Sequence, residues 1–247
     1  MQLLAYSDLH GRLPHVTPCE TLLIAGDICP IIGEHSPDWQ ATWLKEVFAR
    51  WCDQLPAQSI VLVPGNHDFV FEEFGGGHDY GLPAKVTLLI DAGVELPGGP
   101  QVFAQPWVPA LEKWAFYASS ETLAAKAAGI PAGQDIWLQH GPPLPRDVSS
   151  YRLDYVSPRH VGNEQIVPTL LDQKPPLLIC GHIHEGFGRA RIGETDVFNV
   201  SFLDEFYDLR WRWLELEWDD STREFTRAEL IEADRPGELF WDCVPAD

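Results

Sequence analysis

Five short apolar runs of the chain each lead into a polar cluster, and this recurrence constrains the fold more than any other feature. The runs cover residues 2–5, 21–25, 59–63, 136–138 and 177–179. They are too short for helices and rich in Leu, Ile and Val, which is typical of buried strands. The sequence therefore predicts a sheet whose strands end in polar side chains.

Helical patterns separate these runs. Residues 37–55 repeat apolar side chains at helical spacing, with Ser36 as the predicted N-cap. We predict further helices over residues 120–128 and about 162–173, each stopped by Gly or Pro. Strands that alternate with helices indicate an α/β fold.

The last third of the chain has a different pattern. Residues 189–192 and 197–200 flank a Gly-containing turn, and residues 212–218 alternate in polarity. Both features are typical of antiparallel strands, so the sheets should be mixed. We predict a single domain over residues 1–247, in which residues 233–247 form a C-terminal extension.

Charge and cysteine usage limit the partners and the compartment. The chain has 37 acidic and 17 basic residues, a net charge of -20, which disfavours general binding to nucleic acid or anionic membranes. No run reaches the roughly 18 apolar residues of a membrane span, and Asp8 lies too close to Met1 to follow a cleavable signal peptide. The five cysteines lack CxxC spacing, which favours reduced thiols. We expect a cytoplasmic protein with a small substrate, and its oligomeric state stays open.

The polar clusters read SDLH, AGDI, PGNHD, LQHG and CGHIH. They supply Asp8, His10, Asp27, Asn66, His67, Asp68, His140, His182 and His184. Each cluster alone has an ordinary explanation, because Asp and Asn form turns and a lone His is commonly a core residue. All five at strand ends predict a metal site in the crevice outside those ends. Carboxylate, amide and imidazole ligands suit Mn, Fe, Co, Ni or Zn.

In this order and across residues 8–184, the motifs DxH, GD, GNHD, a lone His before Gly, and GHxH resemble the calcineurin-like metallophosphoesterases. The further stretches HGPP, HVGNEQI, GHIHEGFG and FNVS are similar to the branch that contains metallophosphoesterase-domain proteins and cyclic-nucleotide phosphodiesterases. The resemblance implies a four-layer α/β/β/α sandwich of two mixed sheets, with a dinuclear metal site at the strand ends.

The resemblance also implies a role for each motif residue. One divalent ion would take Asp8, His10, Asp27 and His184. The second would take Asp27, Asn66, His140 and His182, so that Asp27 bridges the two ions. His67 matches the position that assists the leaving group, and Asp68 matches the residue that orients its imidazole. Manganese is the ion we favour.

We expect metal-dependent hydrolysis of phosphate esters, in which a hydroxide that bridges both ions attacks phosphorus in line. Phosphodiesters are our first choice of substrate and phosphomonoesters the alternative. A nuclease is disfavoured by charge, and a non-catalytic metal-binding scaffold remains a different class of function.

Loops beside the motifs supply candidate substrate contacts. Arg12, Arg146 and Arg159 are the candidate cations for the substrate, and Trp107, flanked by prolines, is a candidate wall of the pocket. His182 and His184 are two positions apart, and in an extended segment both would face the same way.

Overall fold

The computed structural model of the chain describes residues 1–33, 35–109, 111–233 and 237–241. The strands are β1 (Gln2–Tyr6), β2 (Leu13–Pro14), β3 (Cys19–Ala25), β4 (Ala57–Val63), β5 (Val86–Leu88), β6 (Ala92–Glu95), β7 (Gln101–Gln105), β8 (Ile136–Gln139), β9 (Tyr155–Val156), β10 (Arg159–His160), β11 (Leu177–Cys180), β12 (Gly188–Ile192), β13 (Thr195–Asn199), β14 (Arg212–Asp219), β15 (Glu224–Glu232) and β16 (Leu239–Trp241). The helices are α1 (Pro37–Trp43), α2 (Ala49–Gln54), α3 (Phe69–Phe74), α4 (Ser120–Ala128) and α5 (Val167–Gln173).

Two six-stranded mixed sheets form the centre of the fold. The first has the order β15-β14-β1-β3-β4-β5 and the second the order β12-β13-β11-β8-β7-β6. Strands β1, β3, β4 and β5 run parallel in the first sheet, as do β7, β8, β11 and β13 in the second. Antiparallel strands complete one edge of the first sheet, with β14 and β15, and both edges of the second, with β12 and β6. The predicted mixed α/β architecture is thus confirmed.

Alternation along the strands builds three apolar layers. In β1, Leu3 and Ala5 pack between the two sheets, against residues such as Ile179 and Phe198 of the second sheet. Leu4, the residue between them, faces the opposite way into the layer under α1 to α3. A third layer packs α4 and α5 on the outer face of the second sheet. The layers are therefore helix, sheet, sheet and helix, as the resemblance implies.

The predicted long helix over residues 37–55 forms, with a π-helical turn over Leu44–Phe48 between α1 and α2. Its Ser36 makes no side-chain capping hydrogen bond. The prediction for the third helix was wrong at its start, since α5 begins at Val167. Asn163 instead donates its backbone N–H to Pro142 O at 2.8 Å, and this pairing holds it out of the helix.

Part of the predicted C-terminal extension packs on the core. Strand β16 pairs antiparallel with β2, and Leu239 and Trp241 contact the layer under α1. Residues 234–236 and 242–247, including Cys243, lie outside the described residues. The boundaries of the predicted single domain stay a prediction. No helix in the described ranges has the length and apolar character to cross a membrane.

Candidate metal centre

The motif residues follow the parallel strands and turn back over the strand ends. Asp8, His10, Asp27 and His182 have φ of 56°, 43°, 53° and 70°, in the left-handed region that non-glycine residues seldom occupy. Such backbone is held only where the surrounding structure requires it, and it concentrates at functional sites. Sharp turns at these positions bring side chains from separate strands to one point.

The first ligand group contains Asp8, His10 and His184 beside Asp27. The Nε2 atoms of His10 and His184 lie 3.3 Å apart. Asp8 Oδ1 is 3.7 Å from His184 Nε2, and Asp27 Oδ2 is 3.8 Å from His10 Nε2. All four residues are at least 93% buried, so the donor atoms face one another and not solvent.

The second ligand group shares Asp27 with the first. Asp27 Oδ2 lies 3.3 Å from His140 Nε2, which is in turn 2.9 Å from Asn66 Oδ1. Ligand atoms of Asp27, His140 and His182 all lie within 4.8 Å of one another. The structure thus brings together all seven side chains that the sequence predicts as metal ligands.

The geometry of both groups suits divalent metal ions. Ligands at about 2.0–2.1 Å around a tetrahedral ion are about 3.3 Å apart, close to the separations of 3.3–3.8 Å in these groups. Carboxylate, amide and imidazole donors suit borderline divalent ions. Buried His10 Nδ1 has no hydrogen-bond partner among the described residues. The orientation of the His10 ring is therefore set by the contacts of Nε2 and by the packing around the ring.

Backbone carbonyls orient two of the histidines. His140 donates its Nδ1–H to Ala25 O at 2.8 Å, and His184 donates its Nδ1–H to Asp204 O at 2.7 Å. Because a carbonyl only accepts, these contacts place the proton on Nδ1 and leave Nε2 as the atom that faces the centre. A buried ring held in this way is typical of metal-ligating histidines.

Without metal, the centre sets the histidine pKa values far apart. Burial would lower the pKa of His140, but the Asp27 carboxylate and hydrogen bonds raise it to about 9. Burial also opposes the charge of His184, yet its contacts with Asp8 raise its pKa to about 8. Burial lowers the pKa of His182 to about 3 and also lowers that of His10 well below its usual value.

The two carboxylates remain ionised. Burial alone would raise the pKa of Asp8, but the hydrogen bond and charge of His184 hold it below the usual value. Burial likewise opposes ionisation of Asp27, whose pKa the charges of His140 and His67 hold well below the usual value. In the metal-free protein, protonated histidines thus compensate part of the charge that metal ions would compensate.

His67 lies at the mouth of this centre. Its Nε2 is 4.0 Å from Asp27 Oδ2, and its ring packs against Trp114 with centroids 4.3 Å apart. Its backbone is fixed on both sides, since Gln40 donates to His67 O at 2.7 Å and His67 N donates to Asp27 Oδ1 at 2.8 Å. The imidazole is therefore fixed beside Asp27, where it lines the cleft over the ligand groups.

Asp68 is a buried acceptor that joins two of the motif loops. Its carboxylate accepts backbone N–H bonds from Ile28, Cys29 and Gly65 at 2.8–3.3 Å. Burial and the nearby Asp27 charge raise its pKa to about 6. Asp68 thus sets the positions of the Asp27 and Asn66 loops, and its role in orienting His67 stays a prediction.

A cleft of about 270 Å³ opens over the ligands and His67. The walls missed by the sequence prediction are Leu111, Trp114, Val156, Ile183, Glu185, Glu205 and Tyr207. Trp114 is set in place by its neighbour Ala115, which donates its N–H to Asn66 O at 3.2 Å. Trp114 does not follow a predicted strand, so the pattern of polar residues at strand ends could not predict it.

None of the three arginines that the sequence predicts as substrate contacts lines the metal cleft. Arg146 lines a separate groove together with His160, and neither Arg12 nor exposed Arg159 is among the residues lining the metal cleft. Their contact with substrate stays a prediction. Trp107, the candidate wall, is not among the residues that line the metal cleft; its Nε1–H binds Asp91 and its ring lies 3.6 Å from Lys126 Nζ.

His182 and His184 divide between the two groups, but the expected extended segment was wrong. Strand β11 ends at Cys180, His182 is left-handed, and a 3-10 turn begins at His184. The turn, and not a shared strand face, separates the two rings. Gly181 is required here, because a Cβ on it would overlap Asp8 Oδ2.

Comparison with known proteins gives matches over most of the chain. Residues 1–186 match the family model described as calcineurin-like phosphoesterase. A UPF0046 protein of Caenorhabditis elegans is 32% identical over 238 residues, covering 81% of this chain and 56% of that protein. Metallophosphoesterase domain-containing protein 1 of Homo sapiens is 29% identical over 221 residues, covering 79% of this chain and 64% of the human protein. The chain thus spans less than two thirds of the length of these relatives.

A solved structure supports the fold. The crystal structure of TT1561 of Thermus thermophilus aligns with a TM-score of 0.55 at 12% identity, covering 94% of this chain and 98% of that chain. At this identity the likeness concerns the fold alone.

Proposed function

The chain belongs to the calcineurin-like phosphoesterase family, and we propose that it hydrolyses small phosphodiesters with the help of two divalent metal ions. The observation that carries this proposal is the pair of ligand groups that share Asp27 at the floor of one cleft. Asp8, His10 and His184 would complete one ion's shell with Asp27, while Asn66, His140 and His182 would complete the other.

Bound metal ions would polarise the phosphoryl oxygens and stabilise the charge that develops on them. They would also lower the pKa of a water molecule so that it supplies the nucleophile. The chain's own residues do the rest. His67 donates a proton to the leaving oxygen, which is a general-acid role that requires the ring to lie beside the reacting group. Trp114 packs on that ring and limits its movement.

The charges around the cleft support a diester. Its acidic lining side chains are Asp27, Glu185 and Glu205, and no Lys or Arg among the described residues lines it. A phosphodiester carries one negative charge at neutral pH and a monoester nearly two, so an acidic rim repels the diester less. The net charge of -20 supports a small ester over nucleic acid. We also propose that the protein is located in the cytoplasm and uses manganese. The free buried thiols of Cys19, Cys29, Cys52 and Cys180 fit a reducing compartment.

The proposal is tested with metal-stripped protein reconstituted with Mn, Fe, Co, Ni and Zn in turn. We expect a higher kcat/KM for bis(p-nitrophenyl) phosphate than for p-nitrophenyl phosphate, with the highest value in Mn. Asp27→Asn, which weakens a ligand shared by both ions, should abolish turnover of both esters. A preference for the monoester would replace the proposal with a phosphomonoesterase. Metal binding without turnover of a broad phosphoester panel would favour a non-catalytic scaffold.

A further inference from the structure

Asn199 and Ser201 form a buried polar pair behind the metal ligands. Both are fully buried, and both lie in the stretch FNVS at the end of β13. Asn199 is the register partner of Cys180, the last residue of β11 before Gly181. The pair is therefore placed beside the turn that carries His182 and His184.

Ser201 contacts a candidate ligand directly. Its Oγ lies 2.7 Å from Asp8 Oδ2, and the carboxylate also accepts the His182 N–H at 3.0 Å. Asp8 Oδ1 is the oxygen that approaches His184 Nε2, at 3.7 Å. Ser201 thus holds one carboxylate oxygen while the other faces the first ligand group.

Asn199 ties three stretches of backbone together. Its Nδ2 donates to Ile183 O at 2.8 Å, Leu153 O at 3.1 Å and Gly181 O at 3.3 Å. Its Oδ1 faces Ser201 N at 3.0 Å and Ser201 Oγ at 2.8 Å. Since the three carbonyls can only accept, the amide orientation is fixed by its surroundings.

From these contacts we propose that Ser201 and Asn199 are positioning residues of the metal centre. Ser201 fixes the Asp8 carboxylate for the first ion, and Asn199 fixes the turn over residues 181–183 from which both ions take histidines. The proposal rests on the metal site of the proposed function. Partners that orient a ligand in this way typically change metal affinity by about 10–100-fold when removed.

The chain offers a matched control for Ser201. Ser7 is also fully buried and is bridged to Ser201 between the sheets. Its Oγ donates to Ala25 O at 2.9 Å, a carbonyl that keeps the His140 bond when the hydroxyl is removed. Ser7→Ala and Ser201→Ala thus remove the same buried hydroxyl, one bound to a carbonyl and one to a ligand.

The test is calorimetric titration of Co²⁺ into the metal-free full chain. We expect Ser201→Ala to weaken one of two binding steps about 10–100-fold, with the other step and both steps of Ser7→Ala unchanged. Asn199→Ala should weaken both steps, because its turn serves both ions. The Tm of each metal-free variant reports whether the fold is kept, and Ser201→Ala decides the question if Asn199→Ala does not fold.

Unchanged affinity in Ser201→Ala, or an equal loss in Ser7→Ala, overturns the inference. Failure of the wild-type protein to bind Co²⁺ overturns it together with the proposed function. Tight binding without hydrolysis of either ester overturns the proposed function alone, since the inference is read from affinity and not from turnover.

Discussion

At the scale of single residues, His67 lies beside the two ligand groups, and with His10 and Asp27 it forms a further group of possible ligands. Its Nε2 lies 4.0 Å from Asp27 Oδ2, farther than the 3.3 Å of His140 Nε2, and its ring is held by Trp114. We propose that His67 acts on the leaving oxygen while the other seven side chains hold the ions.

His67→Ala should therefore leave metal content unchanged and slow esters according to their leaving group. We expect a loss of about 10²–10⁴-fold in kcat for an alkoxide-leaving diester and a much smaller loss for a nitrophenolate-leaving one, which needs no proton. Steady-state kinetics on the two diesters and metal analysis measure both effects.

His35→Ala is the control for this change. His35 packs on the same Trp114 ring, with centroids 5.1 Å apart, but is not among the residues lining the cleft. It should slow both diesters equally or not at all. Equal losses on the two diesters in His67→Ala would remove His67 from the acid role.

The raised pKa values of His140 and His184 predict that metal binding releases protons. Both histidines, with pKa values of about 9 and 8, are protonated in the metal-free protein at pH 7 and must lose the proton to bind an ion. Affinity should therefore rise with pH from 7 to 9. Calorimetry in buffers of different ionisation enthalpy counts the released protons, and a pH-independent affinity would contradict the prediction.

The same shifts affect the stability of the metal-free protein. Because both pKa values are raised above the usual 6.5, the stabilisation is fully present below pH 6.5 and is lost as pH rises through about 8 and 9. Urea unfolding of chelator-treated protein should show a lower midpoint at pH 9.5 than at pH 6.5. In His140→Asn this decrease should be smaller.

At the scale of elements, two helix N-termini make a matched pair. Ser119 is the N-cap of α4, and its side chain accepts the Thr122 N–H at 3.3 Å, whereas Ser36, the N-cap of α1, makes no such bond. Ser119→Ala should lower the free energy of unfolding by about 1 kcal/mol, and Ser36→Ala should change it by less than about 0.5 kcal/mol. Chemical denaturation of both variants measures the difference, and equal effects would contradict it.

Elements that bury a regular apolar pattern could be predicted from the sequence, and those defined by their neighbours could not. The five strand runs and the long helix follow from periodicity. The six-residue helix α3 and the edge strand β6, which is half exposed, are too short to show a period. The prediction that α5 begins at about residue 162 was wrong because Asn163 pairs with a distant loop, which no local pattern reveals.

The site divides in the same way. Its ligands could be predicted because strand ends and residue type mark them in the sequence. Trp114, Glu205 and Ser201 could not, because loops and a bridge between the sheets bring them to the centre. The sequence assigned His182 and His184 to different ligand groups, and in the structure a left-handed turn, not an extended segment, separates them.

At the scale of the whole molecule, each sheet supplies part of each ligand group. Asp8, Asp27 and Asn66 follow strands of the first sheet, while His140 and His182 follow strands of the second. Between the sheets lies an apolar layer. The proposed ions would therefore join the two sheets at the edge where Asp8 and Asp27 bring negative charge together.

Metal binding should accordingly raise the Tm of the whole chain. An ion at about one hundred times its Kd adds about 2.7 kcal/mol when it binds only the folded state, and about 1 kcal/mol moves the Tm of a domain of this size by about 2–4 °C. We expect a rise of about 5–10 °C for each occupied site, reversed by a chelator. Calorimetric scans of metal-free and Mn-loaded protein measure it.

Two histidine variants test whether this rise in Tm comes from ions bound where the two sheets meet. His140→Ala removes a ligand that the second sheet supplies, so the rise in Tm should fall to that of a single site or less. His160→Ala lies outside the centre, where its Nδ1 binds Asp154 at 2.6 Å, and should keep the full rise. An undiminished rise in His140→Ala would mean that the ions bind elsewhere and that charge repulsion between Asp8 and Asp27 is not relieved by them.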